Sequence, residues 1–382
     1  MHLHELEFDF PRELIAQEPV EPRDSCRLMF VPGHGGLEHR RFWELPGLLR
    51  PGDTLVFNDS RVLPARVPAR KPTGGHVELL FLHPAADLDG DGRGEAWEVL
   101  ARPSHRLRPG GTLLLPGGEA LTLLALLGEG RWVLRAQSGM SPLRLMETYG
   151  RLPLPPYIKT YPAQPESYQT VYASQPGSAA APTAGLHFTP TLLRALEEAG
   201  VGAAYVTLHV GLDTFQPIRE ERVEDHRIHR EAFSVSAECL HTLRAARARG
   251  DRLVAVGTTA TRVLETLAGR GLLDAAAETP GGPDRSAGAG EGIDDHTEIF
   301  ITPGYEFRGV DALLTNFHLP HSSVLALVMA FAGVKRIRDA YREAVERRYR
   351  FFSFGDAMLV EPGRSDDVSR MPGGYEEGVW RP

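Results

Sequence analysis

Three stretches of the chain set small, hydroxyl-bearing or imidazole side chains where a strand or turn gives way to a helix: "APTAGLHFTP" (181–190), "VAVGTTATR" (254–262) and "LLTNFHLPHSS" (313–323). In α/β proteins such junctions gather at the C-terminal ends of strands, where ligands bind. A helix N-terminus adds free N–H groups and a dipole that attract anions. The candidate cofactor contacts are therefore Thr183, Gly185, Gly257, Thr258, Thr259 and Asn316. Helix capping would account for Thr258, Thr259, Ser322 and Ser323 one at a time. The threefold recurrence is what points to a shared ligand site.

The same stretches carry imidazoles. His187, His209 and His318 are the acid–base candidates, because an ordinary histidine titrates near neutral pH. A histidine in a strand can equally be a core residue with satisfied nitrogens. The "HRIH" run (226–229) has no partner pair at metal-ligand spacing, and Cys26 and Cys239 stand apart with no CxxC. No metal is expected, and no disulfide scaffold. The "DLDGDGRGE" stretch (87–95) has half the look of an EF-hand loop but no flanking helices, so it reads as a hairpin tip.

A third group is basic. Lys335 to Arg350 carries seven basic and three acidic residues and reads as one amphipathic helix. Arg347, Arg348 and Arg350 lie beside Tyr349, Phe351 and Phe352, a mixture that suits phosphates and stacked bases of single-stranded RNA. A solvated helix face is the competing reading. Arg61 and Arg66 follow the polar turn Asn58–Asp59–Ser60 and complete the candidate RNA contacts.

The elements that must hold these residues follow from texture. Thr189 is a natural N-cap, with Pro190 at the first helical position and Leu192, Leu193 and Leu196 at helical spacing. From Arg66 to about Gly139 the chain is a series of short β-type runs between Gly/Pro turns, with little helical period, which reads as a small antiparallel barrel or sandwich. Beyond Met140 strands and helices alternate, as in an α/β layer or barrel. The expected organisation is a discontinuous α/β domain of residues 1–62 and 151–382 interrupted by an all-β domain, 63–150. Residues 275–295, rich in Gly, Ala and Pro, read as a disordered loop.

Composition bounds the rest. The apolar content of 42% and charged content of 24% are those of a folded protein. No apolar run reaches membrane-spanning length, and the acidic N-terminus is unlike a signal peptide, so a cytoplasmic location with no membrane partner is expected. The net charge of −8 argues against a surface coated for bulk nucleic-acid binding, though a local basic patch remains compatible with it.

Long strings across the chain carry a resemblance: "DFPRELIAQEPVEPRDSCRLM", "GDTLVFNDSRVLPAR", "YQTVYA", "AAPTAGLHFTP", "VTLHVGLDTFQP", "VGTTATRVLE", "LLTNFHLPHSSVLALVMAFAG" and "RYRFFSFGDAMLV". The chain resembles the S-adenosylmethionine:tRNA ribosyltransferase-isomerases of queuosine biosynthesis. The resemblance implies a mixed α/β barrel-like main domain with an inserted small antiparallel β-barrel. It implies transfer and isomerisation of the ribosyl group of S-adenosylmethionine onto 7-aminomethyl-7-deazaguanine in a tRNA anticodon. Epoxyqueuosine is formed, and adenine and methionine leave. S-adenosylmethionine is then a substrate, tRNA the macromolecular partner, and a monomer is expected. Such chemistry needs a base for the ribose C5′ proton, for which His187, His209 and His318 all stay open. It needs an acid for departing adenine (Asp225, Glu298 or a histidine), and a partner for the sulfonium (Tyr305, Phe317 or Asp311).

The sequence departs from the family pattern at Asp213, where Gly is usual, at Asp295–Glu298, where "GWTD" is usual, and at Ala260, where Ser is usual. Two other readings compete. An RNA methyltransferase would want a Gly-rich loop after its first strand, which is not evident. A non-catalytic RNA-binding module would not need three ligand-type loops.

Overall fold

The computed structural model describes residues 1–85, 95–162, 164–211, 217–228, 230–274 and 292–363. The "DLDGDGRGE" tip (apart from Glu95), Asp213, His229, residues 275–291 of the expected loop and the tail from 364 lie outside the described residues. In chain order the strands are β1 (Arg27–Val31), β2 (Glu38–Arg41), β3 (Thr54–Asn58), β4 (Ser60–Val62), β5 (Arg66–Arg70), β6 (His76–Pro84), β7 (Trp97–Arg102), β8 (Thr112–Leu114), β9 (Ala120–Gly128), β10 (Arg131–Ala136), β11 (Gln175–Ser178), β12 (Gly202–Leu208), β13 (Glu231–Val235), β14 (Leu253–Val256), β15 (Ile293–Thr297), β16 (Ala312–Asn316) and β17 (Ala357–Val360). The helices are α1 (Pro142–Tyr149), α2 (Pro190–Glu198), α3 (Ala237–Arg249), α4 (Gly257–Gly269), α5 (Ser323–Ala332) and α6 (Val334–Glu346).

The chain divides into two units. One comprises Met1–Ser60, Pro156–Gln175 and Ala181–Pro382; the other comprises Arg61–Pro155 with the short return Pro176–Ala180. The second unit holds a closed barrel in the order β10-β7-β6-β5-β8-β9, antiparallel at every pairing. Its strands alternate as half-buried strands must: Val67 and Ala69 point inward while Pro68 and Arg70 are exposed.

The first unit is built on a nine-stranded mixed sheet, β15-β13-β12-β3-β14-β16-β17-β1-β2. The central strands β12, β3, β14 and β16 run parallel. β17 is antiparallel to β16, and β1 lies parallel to β17. All residues of β3, β14, β16 and β17 are buried, which explains why "TLVFN", "LVAV" and "AMLV" read as continuous rather than alternating runs. One sheet face packs Leu28, Leu55, Phe57, Val254, Val256 and Leu314 against Phe188, Leu192 and Leu196 of the segment containing α2. α5 is buried on nearly every side, as its all-apolar sequence requires. α6 buries Ile337, Ala340, Tyr341 and Ala344, a stripe at helical spacing.

Two expectations need correction. Ile293, Asp294 and Asp295 are not loop: they pair in β15 with Val235, Ser234 and Phe233. The basic helix ends at Glu346, short of the arginines assigned to it. Arg348 takes φ +55, outside the helical region, and this turns Tyr349 and Phe351 inward. Both are essentially fully buried, and the Phe351 ring lies 5.2 Å from that of Phe317. Phe352 is buried as well, so none of the three is a platform for nucleobases.

The start of β3 is tied by charge. Buried Asp53 accepts Arg252 Nε at 2.9 Å and Nη2 at 2.6 Å, and Arg252 Nη1 also reaches Glu361 at 3.0 Å. Removing one partner of a buried pair leaves the other charge uncompensated. Asp53→Ala is expected to cost about 3–5 kcal/mol in denaturant unfolding; a loss under about 1 kcal/mol would mean that the pair behaves as a surface ion pair.

Candidate active site

The parallel strands deliver their C-termini to one edge of the large sheet. That edge carries Asn58, Leu208, Val256 and Asn316, and the antiparallel pairing Asn316↔Ala357 adds the starts of β17 and, through Leu28↔Ala357, of β1. Asn58 joins two of these ends. Its amide donates to Leu208 O at 3.0 Å and accepts from Leu208 N at 3.0 Å and Ser60 N at 3.1 Å.

A tight 3-10 turn, Thr183–His187, packs on this edge. Thr189 caps α2 as the sequence indicates, accepting from Leu192 N at 3.1 Å. The turn is crowded. A Cβ on Gly185 would collide with the Tyr172 hydroxyl and lie 2.9 Å from Thr170 Cγ2, so the glycine is required for space. Gly257 is required for a different reason. It adopts φ +90 at the start of α4, where a Cβ would have room, 3.6 Å from Ala184 Cβ, but the backbone would be strained.

The Thr258 and Thr259 hydroxyls do not cap α4. The N-cap position is Val256 and no side chain caps the helix; Thr261 instead bonds back to Gly257 O at 3.1 Å. Capping therefore explains Ser322, which accepts from Leu325 N, but not the threonines. Four buried polar atoms close to this turn have no partner among the described residues: Thr259 Oγ1, Thr170 Oγ1, the Tyr172 hydroxyl and Asn316 Oδ1. Buried polar groups are normally paired. A cluster of orphans beside an uncapped helix N-terminus is the chemistry of a polar ligand site.

His187 sits between two segments distant in sequence. Its Nδ1 lies 3.2 Å from Cys26 Sγ and its Nε2 3.1 Å from Asn316 Nδ2. Asn316 Nδ2 also donates to Phe352 O at 3.0 Å. A carbonyl can only accept, which fixes the amide orientation. Nε2 of His187 must then accept, the proton resides on Nδ1, and Nδ1–H points at Cys26 Sγ. Burial pushes His187 down to about 3, with the Arg350 and Arg23 charges acting the same way. The neighbouring thiol is pushed well up by burial, so Cys26 stays a neutral thiol. Cysteine counting did not mark Cys26, because its partner is 161 residues away.

His318 is also removed from the neutral range. Burial takes it down to about 3, and its Nε2 lies 2.7 Å from Thr315 Oγ1. His209, just beyond β12, differs. It is half-buried, its Nδ1 has no partner among the described residues, and burial lowers it while the Asp59 charge opposes that shift. The expectation of a base near neutral pH is thus met least by His187 and His318.

This has a stability consequence. The unfolded chain protonates both histidines below about pH 6.5, whereas the folded chain resists until about 3. Stability is therefore full above 6.5 and is lost as pH falls towards 3. The expected loss is up to about 1.4 kcal/mol per pH unit for each histidine. His318→Gln should flatten the slope of unfolding free energy against pH by about half of that pair's contribution; an unchanged slope would refute the assignment.

Other candidates lie apart from the edge. Tyr305 donates to Glu265 Oε2 at 3.0 Å, and with Glu298, Arg230 and Arg270 it lines a cleft of about 500 Å³. Glu265 to Gly269 form the C-terminal part of α4, about 12–18 Å along the helix from Gly257, so this cleft is separate from the Gly185 turn. Phe317 is core, and Asp311 is paired with Arg247. Neither is free to face a sulfonium.

The candidate RNA contacts are partly engaged. Arg347 pairs with Glu343 at 2.8 Å, and Arg350 donates to Glu18 O. Arg348 lies 3.9 Å from Glu13 and is largely exposed. In the barrel unit Arg66 pairs with Glu78 at 2.8 Å, and Arg61 stands in the middle of β4. The described residues contain no group of three or more His, Cys, Asp or Glu able to hold a metal, and no helix long and apolar enough to cross a membrane.

Comparison with known proteins agrees with this architecture. A model of the queuosine biosynthesis protein family matches residues 3–360. The S-adenosylmethionine:tRNA ribosyltransferase-isomerase of Rubrobacter xylanophilus is 53% identical over 365 residues, covering 95% of this chain and 98% of that one. The enzyme of the same name from Thermotoga petrophila is 46% identical, covering 94% and 100%. The crystal structure of S-adenosylmethionine tRNA ribosyltransferase from Thermotoga maritima, 39% identical, superposes with a TM-score of 0.50 over 93% of this chain and 99% of that chain. With a family match along almost its whole length and relatives near half identity, the chain belongs to the S-adenosylmethionine:tRNA ribosyltransferase-isomerases of queuosine biosynthesis.

Proposed function

We propose that this chain moves the ribosyl group of S-adenosylmethionine onto 7-aminomethyl-7-deazaguanine in a tRNA anticodon. The group is isomerised to an epoxycyclopentanediol, and adenine and methionine are released. The observation that carries the reading is the set of orphaned polar atoms around the Gly185 turn, beside the uncapped start of α4. An apolar ligand would gain nothing there. A nucleoside with a charged amino-acid tail would pair these groups, and the tail carboxylate suits the α4 N-terminus.

The reaction begins with loss of a proton from ribose C5′, made acidic by the adjacent sulfonium. The base must be unprotonated near neutral pH and have a free lone pair. His209 meets both demands through its unpartnered Nδ1. His187, locked between Cys26 and Asn316, instead holds the Asn316 amide so that Oδ1 stays available to accept from the ligand. The exposed guanidinium groups of Arg347 and Arg348 are offered to tRNA phosphates, with Arg61 and Arg66 of the barrel unit as further contacts.

The test is incubation with labelled S-adenosylmethionine and tRNA bearing the aminomethyl base. Free adenine is expected. S-adenosylhomocysteine in its place would make the protein a methyltransferase, and neither product would make it a binding module.

A further inference from the structure

The edge of the sheet offers a cation site that none of the sequence candidates supplied. Phe57, Tyr172 and Tyr205 form a contiguous aromatic wall: ring centroids are 4.7 Å apart for Phe57–Tyr172, 5.8 Å for Tyr172–Tyr205 and 5.5 Å for the stacked pair Phe57–Tyr205. Tyr205 is 40% exposed and Tyr172 half-buried, so the wall has an open face.

Asp59 stands at its rim, just past the end of β3. Its two carboxylate oxygens accept from Thr207 Oγ1 and Ser174 Oγ, each at 2.7 Å, and its backbone carbonyl accepts from Ser174 N at 2.8 Å. These bonds aim the carboxylate, and the described residues give it no arginine or lysine partner. Its charge reaches both tyrosines and His209, pushing Tyr172 and Tyr205 up alongside the larger effect of burial. A fixed, uncompensated carboxylate beside open aromatic faces is a site for a soft cation. The wall adjoins the ligand cluster, because the Tyr172 hydroxyl rests against Gly185.

We propose that Asp59, Tyr172 and Tyr205 hold the sulfonium of the substrate, with Asp59 as counter-charge and the tyrosine faces as the cation–π surface. This rests on the functional reading above. It also gives the wall a role in the chemistry, since a sulfonium fixed beside Asp59 lies near His209, where the C5′ proton must be taken.

The experiment measures the dissociation constants of S-adenosylmethionine and of its neutral thioether counterpart, S-adenosylhomocysteine, by calorimetry. It uses the intact chain, Asp59→Asn and Tyr205→Leu. The native protein is expected to prefer the sulfonium by roughly tenfold. Both variants should lose most of that preference while binding the thioether as before. Tyr205→Leu leaves the Asp59 hydrogen bonds alone, so it guards against a folding defect in the first variant. Equal native affinity for both ligands, or a preference retained in both variants, would overturn the cation site while leaving the ribosyl-transfer reading intact. Failure of the native protein to bind either ligand would overturn both.

Discussion

Replacing His209 by Gln is expected to lower the rate of adenine release by about 10²–10⁴-fold, the usual contribution of a positioned general base. Affinity for tRNA should be little changed. Of the three imidazoles at or near the strand ends, His187 has both nitrogens engaged and is held near 3, and His318, half-buried with its Nε2 on Thr315, is held near 3 as well. Among the three, only for His209 does a nearby carboxylate, that of Asp59, oppose the effect of burial, and its Nδ1 has no partner among the described residues. Because burial lowers it, the neutral form needed for proton abstraction persists below the ordinary histidine range. The rate of the native enzyme should therefore fall on the acid side of pH 6.5 rather than above it. That acid limb should vanish from the residual rate of the Gln variant. A variant that turns over at the native rate, with the native pH profile, would remove His209 from the mechanism.

Gly185→Ala is expected to destabilise the protein by about 1–3 kcal/mol or more, as overpacked cores do, and to suppress turnover. The added methyl would displace the Tyr172 hydroxyl and press on Thr170. Both residues belong to the orphan cluster, and Tyr172 belongs to the aromatic wall. Combining it with Tyr172→Ala should recover part of the stability, because the colliding group is gone, but not the activity. Thermal denaturation and adenine release read the two effects separately. Equal melting temperatures for Gly185→Ala and the native chain would show that the turn has slack and refute the crowding.

Much of this site was legible in the sequence, for identifiable reasons. The "HFTP" mouth of α2, the strand of "DALLTNF" and the all-apolar α5 rest on local rules of capping and periodicity, and each forms there, the strand as Ala312–Asn316. The convergence of 181–190, 254–262 and 313–323 followed from the habit of α/β sheets to gather their strand ends. What stayed hidden was relational. Cys26 looked inert because its partner His187 comes from another part of the fold. Asp59 was read only as part of a polar turn and Tyr172 only within "YQTVYA", a string noted for resemblance; the parallel β3–β12 pairing brings Asp59 to Tyr205, and the Ser174 bonds to Asp59 bring Tyr172. The aromatics of the run 347–352 were misread for the opposite reason. Its composition suits RNA, but the backbone reversal at Arg348 spends the aromatics on the core.

The parallel ladder between β1 and β17 sets a further condition on the molecule. Leu28 is hydrogen-bonded in register with Ala357, and the Cys26–His187–Asn316 chain crosses the same seam. No contiguous half of the polypeptide contains the whole edge. During synthesis, β1 can pair at once with β2, but its other edge must wait for residues near 357 to leave the ribosome. Catalytic competence is therefore one of the last properties this chain acquires, and a nascent chain halted before β17 would leave the β17-facing edge of β1 open as a template for misassociation.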